Sequence, residues 1–84
     1  SMQKTSAPTG PKGAGFVKSP LPGVILNVHV KEGETVKMGT KLITLEAMKM
    51  ENNINADKEG VIKSIKVKAG DSVLEGDVLI EIGD

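Results

Sequence analysis

The apolar positions of this chain fall in short runs separated by glycine and charge. Val24, Leu26, Val28 and Val30 alternate with Ile25, Asn27 and His29, the period-2 pattern of a strand with one buried face. Val61, Ile65 and Val67 repeat that face farther along, with Lys63 as its one polar departure. Ile43 with Leu45, and Val78 with Ile80 and Ile82, supply closing strands. Gly33 and Gly39, like Gly70 and Gly76, bracket Thr35-Val36 and Ser72-Val73, which leaves room only for short strands between tight turns. A helical period is missing. The window from Lys31 to Leu42 offers Val36, Met38 and Leu42 together with glycines that would each cost about 1 kcal/mol in a helix. The predicted class is all-β.

These runs form an internal repeat. Residues 23–45, GVILNVHVKEGETVKMGTKLITL, align without a gap over residues 60–82, GVIKSIKVKAGDSVLEGDVLIEI, at an offset of 37 with ten identities in 23 positions. Val28 with Ile65, Glu34 with Asp71 and Leu45 with Ile82 add conservative matches. Halves that each bury one face cannot stand alone, but a pseudo-twofold lets them cover each other as a small flattened barrel or sandwich. Burial of valine, isoleucine and leucine, at roughly 1.5–3 kcal/mol each, is then the main favourable term.

Composition narrows the chemistry. The chain has 84 residues, all 11 of its basic residues are lysine, and it has one histidine, one aromatic residue (Phe16) and no cysteine. That excludes a disulfide framework, a thiolate nucleophile and a thiolate or all-histidine metal cage. Without arginine, and with a single aromatic, neither two-point phosphate recognition nor a base-stacking platform is available, so nucleic acid is disfavoured as a partner. Residues 1–17 hold two lysines and no acid, whereas residues 55–84 hold four lysines against seven acids. No basic patch suggests a membrane surface, and no apolar run approaches a membrane span. Residues 1–15, SMQKTSAPTGPKGAG, read as a flexible linker or tail, with Ser1-Met2 as a tag remnant, and residues 16–84 as the one domain.

The segment between the halves is the exception to the turn pattern. The strand over residues 40–47 must reverse before the second half begins, yet no glycine or proline lies between Thr40 and Ile54. Tight hairpins favour Asn-Gly and related pairs because their central residues need positive φ. A turn at Met48-Lys49 places non-glycine residues there, at a cost on the order of 1–3 kcal/mol. Local chemistry does not ask for a turn where the symmetry demands one, and such conflicts are expected at functional positions.

Glu46-Ala47-Met48-Lys49-Met50, at that junction, resembles the attachment motif of biotinyl domains, the biotin carboxyl carrier modules of biotin-dependent carboxylases, decarboxylases and transcarboxylases. The resemblance runs from about residue 16 to 83 and includes Pro20-Leu21-Pro22-Gly23 and the Lys31 to Val36 turn. It implies a barrel-sandwich hybrid of two four-stranded halves with the acceptor lysine on a β-hairpin tip. It also implies that Lys49 receives biotin through an amide made by a biotin protein ligase, and that the modified arm carries a carboxyl group between biotin carboxylase and carboxyltransferase partners. A lysine amine attacks an acyl group only when neutral, so the ligase must supply deprotonation and the carrier need only present the amine on a fixed turn. The halves align without insertion, so the protruding thumb found in many bacterial acetyl-CoA carboxylase carriers is absent. This is more like the carriers of transcarboxylase, of acyl-CoA or oxaloacetate decarboxylases, and of pyruvate and propionyl-CoA-type carboxylases.

Each of these residues also has a plain reading. Lys49 is one lysine among eleven, distinguished by its position and flanks. Met48 and Met50 serve either as gap-filling apolar residues or as contacts for the ligase or cofactor. Glu46 is an ordinary surface charge or, by resemblance, a ligase recognition residue, and Ala47 is a small residue that lets the ligase approach. His29 aligns with Lys66 on the polar strand face and reads as a solvated side chain, not a catalytic group. No acid pair, nucleophile with base, or metal cluster is available, so a non-catalytic carrier is expected. The alternatives are a lipoyl carrier, whose family resembles Asp-Lys-Ala around the lysine, and an unmodified hybrid barrel used for interaction. The family's ATP- and CoA-linked partners imply the cytoplasm, at the inner membrane face if the partner is a sodium-pumping decarboxylase.

Overall fold

The computed structural model describes residues 15–84; the linker expected over residues 1–15 lies outside them, apart from Gly15, which opens the first strand. Eight strands follow: β1 (Gly15–Lys18), β2 (Gly23–Val28), β3 (Thr35–Val36), β4 (Lys41–Ala47), β5 (Met50–Asn55), β6 (Gly60–Ile65), β7 (Ser72–Val73) and β8 (Val78–Gly83). They form two four-stranded antiparallel sheets, β1-β8-β6-β3 and β5-β4-β2-β7. Each sheet borrows its short edge strand from the other half of the sequence, since β3 pairs with β6 and β7 with β2. The halves are therefore interlocked as well as stacked.

The offset of 37 reappears in the pairing. Phe16 faces Glu81 and Val17 faces Ile80, as Asn53 faces Thr44 and Ile54 faces Ile43. Gly33 N–H donates to Ile62 O at 2.8 Å, and Gly70 N–H donates to Ile25 O at 2.7 Å. The core is built from the same pairs: Ile25 and Ile62, Val36 and Val73, Leu42 and Leu79, Ile43 and Ile80, Leu45 and Ile82. All of these side chains are buried, and together they supply the packing energy that two thin sheets need.

One detail departs from strict alternation. Ile25 and Ile62 point into the core, while Val24 is exposed, because a bulge shifts the register between Ile25 and Asn27 and again between Ile62 and Ser64. The bulged residues are Leu26 and Lys63. An extra residue in one strand swaps the face of everything before it. Lys63 is thus no polar intrusion into the core. Its aliphatic stem lies over Gly83, where an added Cβ would come within 2.9 Å of Lys63 Cε. His29 is exposed, as expected, but is also tied down. Thr44 Oγ1 donates to Asn53 Oδ1 at 3.1 Å and so accepts from His29 Nε2 at 2.7 Å, linking β2's end, β4 and β5.

Candidate functional site

The β4–β5 hairpin is closed by Met48 and Lys49 alone, with Ala47 paired to Met50 across its base. Both turn residues have positive φ, 55° at Met48 and 63° at Lys49, and among the described residues they are the only non-glycine positions that do. Two central residues with positive φ are what a type I′ hairpin turn requires. The ladder enforces it: β4 and β5 are paired through six positions, from Lys41 with Asn55 to Ala47 with Met50. Long-range pairing overrides the local preference of both residues.

The tip is open to solvent. Met48 is 84% and Met50 65% exposed, Lys49 is exposed between them, and no hydrogen bond or ion pair among the described residues holds its amine. Glu46 is exposed and faces Glu51 on one side and Val24 on the other, all on the outer face of the sheet. Ala47 differs from the expectation made for it. Its side chain is only 4% exposed, and a Cβ added to Gly23 would approach it at 3.2 Å while also meeting the Glu46 carbonyl. Its smallness serves the close approach of β2 beneath the hairpin, not access from outside. The structure places Glu46 near the end of β4, Met48 and Lys49 in the turn, and Met50 at the start of β5. Sequence spacing carries no sign that Val24 borders the same surface, although the alignment of Leu26 with Lys63 was a signal that the strand's faces had been exchanged.

An exposed primary amine on a rigid turn is placed where another protein can acylate it. Among the described residues no group of three or more His, Asp or Glu side chains is placed to hold a metal ion. An open tip flanked by two thioether side chains also leaves room for a bulky acyl group on the amine. The fold and tip together define a carrier domain.

The sequence model of the family described as "Biotin-requiring enzyme" matches residues 15–82. The chain is 47% identical over 69 residues to the mitochondrial propionyl-CoA carboxylase alpha chain of Homo sapiens, covering 82% of this chain and 10% of that protein. It is 45% identical over 64 residues to the biotin/lipoyl attachment protein of Bacillus subtilis, covering 76% of this chain and 88% of that one. Among solved structures, a single-chain, multi-domain long-chain acyl-CoA carboxylase matches with a TM-score of 0.80 at 29% identity, over 86% of this chain and 7% of that one. The urea carboxylase of Kluyveromyces lactis matches with a TM-score of 0.79 at 31% identity, over 92% of this chain and 7% of that one. The chain belongs to the biotin-requiring enzyme family, as a biotin carboxyl carrier domain: a non-catalytic module that carries covalently attached biotin. This supports biotin over the lipoyl and unmodified alternatives. The chain spans about a tenth of the length of the propionyl-CoA carboxylase alpha chain it matches. Among the described residues no helix is long and apolar enough to cross a membrane.

Proposed function

We propose that Lys49 is the residue that carries biotin, joined through its Nζ by a biotin protein ligase, and that the loaded domain shuttles carboxyl groups within a biotin-dependent carboxylase or decarboxylase. The observation that carries this reading is the turn itself. Lys49 sits at φ 63° beside Met48 at φ 55°, a conformation the ladder imposes and neither residue prefers. A freely chosen turn would place glycine or asparagine there, so the lysine is kept for what it presents.

The work of the chain is presentation. The β4–β5 ladder fixes the backbone at the tip, so little conformational freedom is lost when the amine enters a partner site. The lysine side chain adds a long flexible arm to that fixed point. Met48 and Met50 offer apolar, deformable surface beside it, Glu46 offers a charge that partners can read, and buried Ala47 seats the hairpin on β2. When bound, biotin supplies a ring nitrogen that takes up and releases a carboxyl group. Tethering confines that group near two active sites at an effective concentration far above what free diffusion gives. The two sites belong to biotin carboxylase and carboxyltransferase parts, and the relatives favour an acyl-CoA or 2-oxo-acid substrate for the latter. The cytoplasm is the compartment this reading favours for a bacterial source, the mitochondrion for one like the human relative.

The test is an intact-mass spectrum after incubation with a biotin protein ligase, ATP and biotin, followed by peptide mapping. One added biotinyl group, on Lys49, is expected. An unshifted mass, or label on another lysine, overturns the reading.

A further inference from the structure

A groove of about 330 Å³ opens between β1 and β5, each the edge strand of its own sheet. Its size falls within the roughly 300–1,000 Å³ of small-molecule sites. The lining falls into pairs at the repeat's offset of 37: Phe16 with Asn53, Val17 with Ile54, and Lys18 with Asn55. The groove therefore sits astride the pseudo-twofold. A Cβ added to Gly15, at the start of β1, would meet Lys58 Cδ, just past the end of β5, at 3.2 Å. The two strands thus run in opposite directions along the groove, and its end nearer the hairpin tip is formed by Asn53 from β5 with Lys18 and Pro20 from the end of β1 and just beyond it.

The symmetry separates what the fold needs from what it leaves free. At the floor both halves supply a half-buried apolar residue packed on the core, Val17 and Ile54. On the walls they differ: one half supplies Phe16 and Lys18, the other Asn53 and Asn55, all exposed. Packing accepts either kind, so it does not dictate the chemistry of the walls. Thr44 Oγ1 donates to Asn53 Oδ1 at 3.1 Å, which fixes the amide and leaves its NH2 group to donate elsewhere. Among the described residues no hydrogen bond or ion pair engages the side chains of Lys18, Asn55 or Asp57. The groove thus offers an apolar floor between free donors and free acceptors. That set complements a cyclic urea fused to an apolar thioether ring: the urea carbonyl can accept from Lys18 and Asn53, its N–H groups can donate to Asn55 Oδ1, and the ring can lie on Val17 and Ile54.

We propose that this groove is a resting site for the domain's own biotinyl group. The inference rests on Lys49 being the attachment point. Lys49 is the turn residue on the β5 side, and the four residues from it to Asn53 span about 13 Å at a strand rise of roughly 3.3 Å per residue. From Lys49 Cα to the ring of a biotin joined at Nζ there are about eleven bonds, which extend to about 14 Å when three bonds span about 3.8 Å. The arm therefore reaches the near end of the groove, where Asn53, Lys18 and the floor meet. The tether also decides the occupant. An open groove too weak to capture a free ligand is filled by a group held beside it at an effective concentration on the order of millimolar. Weakness suits the function, because a group bound at rest is withheld from partner sites in proportion to the fraction bound.

The experiment compares two isotope-labelled chains by NMR, one biotinylated at Lys49 by a ligase and one carrying an acetyl group there, each checked by peptide mapping. Acetylation removes the same charge but adds no ring. The backbone amides of Val17, Lys18, Asn53 and Ile54 are expected to shift in the biotinylated chain relative to the acetylated one, with cross-relaxation between the biotin ring and the methyl groups of Val17 and Ile54. Lys18→Ala is expected to cut those shifts roughly fivefold, the effect of one lost hydrogen bond, with Tm unchanged. Lys66→Ala, an exposed lysine outside the groove, should leave them as they are. Shifts confined to residues 47–51, equal shifts in the two chains, or an equal loss with Lys66→Ala overturn the inference, as do shifts that survive Lys18→Ala. Biotin mapped to another lysine overturns the proposed function itself; biotin on Lys49 with an unperturbed groove overturns only the resting site.

Discussion

Two kinds of turn join the strands of this domain, and they obey different rules. The turns holding Gly33, Gly39, Gly70 and Gly76 put glycine at φ between 89° and 96°, with open space where a Cβ would stand. Side chains close them in matched fashion: Glu34 Oε1 accepts from Lys31 N–H at 3.0 Å and Asp71 Oδ2 from Lys68 N–H at 2.9 Å. These turns are locally content and appear twice. The tip has left-handed backbone at Met48 and Lys49, no glycine, and no second copy among the described residues; in the other sheet the corresponding strands, β1 and β8, pair Gly15 with Ile82. The repeated turns build the fold, and the unrepeated one departs from local preference for a purpose outside the fold.

Breaking the tip should therefore remove function without touching stability. Lys49→Arg is expected to abolish biotinylation completely while leaving Tm and the circular dichroism spectrum unchanged, checked by avidin blot and thermal melt; guanidinium keeps charge and length but cannot take the acyl group. Glu46→Lys comes next. It converts a like-charge pair with Glu51 into an opposite pair, so the domain should be no less stable, yet biotinylation should slow by roughly tenfold or more. A ligase assay at fixed carrier concentration shows which; equal rates would remove Glu46 from recognition.

Breaking a repeated turn should do the reverse. Gly70→Ala puts a Cβ at φ 96° with nothing within 4 Å to clash, so the loss reports backbone conformation alone, about 1–2 kcal/mol. For a domain of this size that is a fall of roughly 4–16 °C in Tm. Biotinylation of the folded fraction should be unaffected. A drop in rate larger than the unfolded fraction explains would tie this turn to the tip and blur the distinction.

Much of this contrast was legible in the sequence, because identity at offset 37 was concentrated where backbone and core constrain both halves: Gly33 with Gly70, Leu42 with Leu79, Ile43 with Ile80. The missing glycine at Met48-Lys49 marked the tip for the same reason. What escaped is instructive. β1 and β5 correspond, yet Gly15-Phe16-Val17-Lys18 and Asn52-Asn53-Ile54-Asn55 share no identity, because edge strands meet solvent on one side and only the equivalent pair Val17 and Ile54 packs against the core. The bulges at Leu26 and Lys63 escaped because Val24-Ile25-Leu26 is apolar on both possible faces, so alternation alone could not choose the inward one. Ala47 read as clearance for a partner because a sequence does not show that Gly23 lies against it.

The smallest effect is the sharpest test of the tip's conformation. Met48→Gly keeps Lys49 and removes a Cβ from φ 55°. Relief of the left-handed strain, about 1–2 kcal/mol, is partly offset by the greater freedom of glycine in the unfolded chain, about 0.5–1 kcal/mol. A net gain of roughly 0.5–1 kcal/mol should raise Tm by about 2–8 °C. Substituting glycine for a buried, packed methionine would lower stability instead, but Met48 is 84% exposed and has little packing to lose. A rise in Tm together with slower modification of Lys49 would show that the methionine is held at the tip against the preference of the fold. A fall in Tm would mean that Met48 stabilises the hairpin, and the tip would then differ from the glycine turns in composition only.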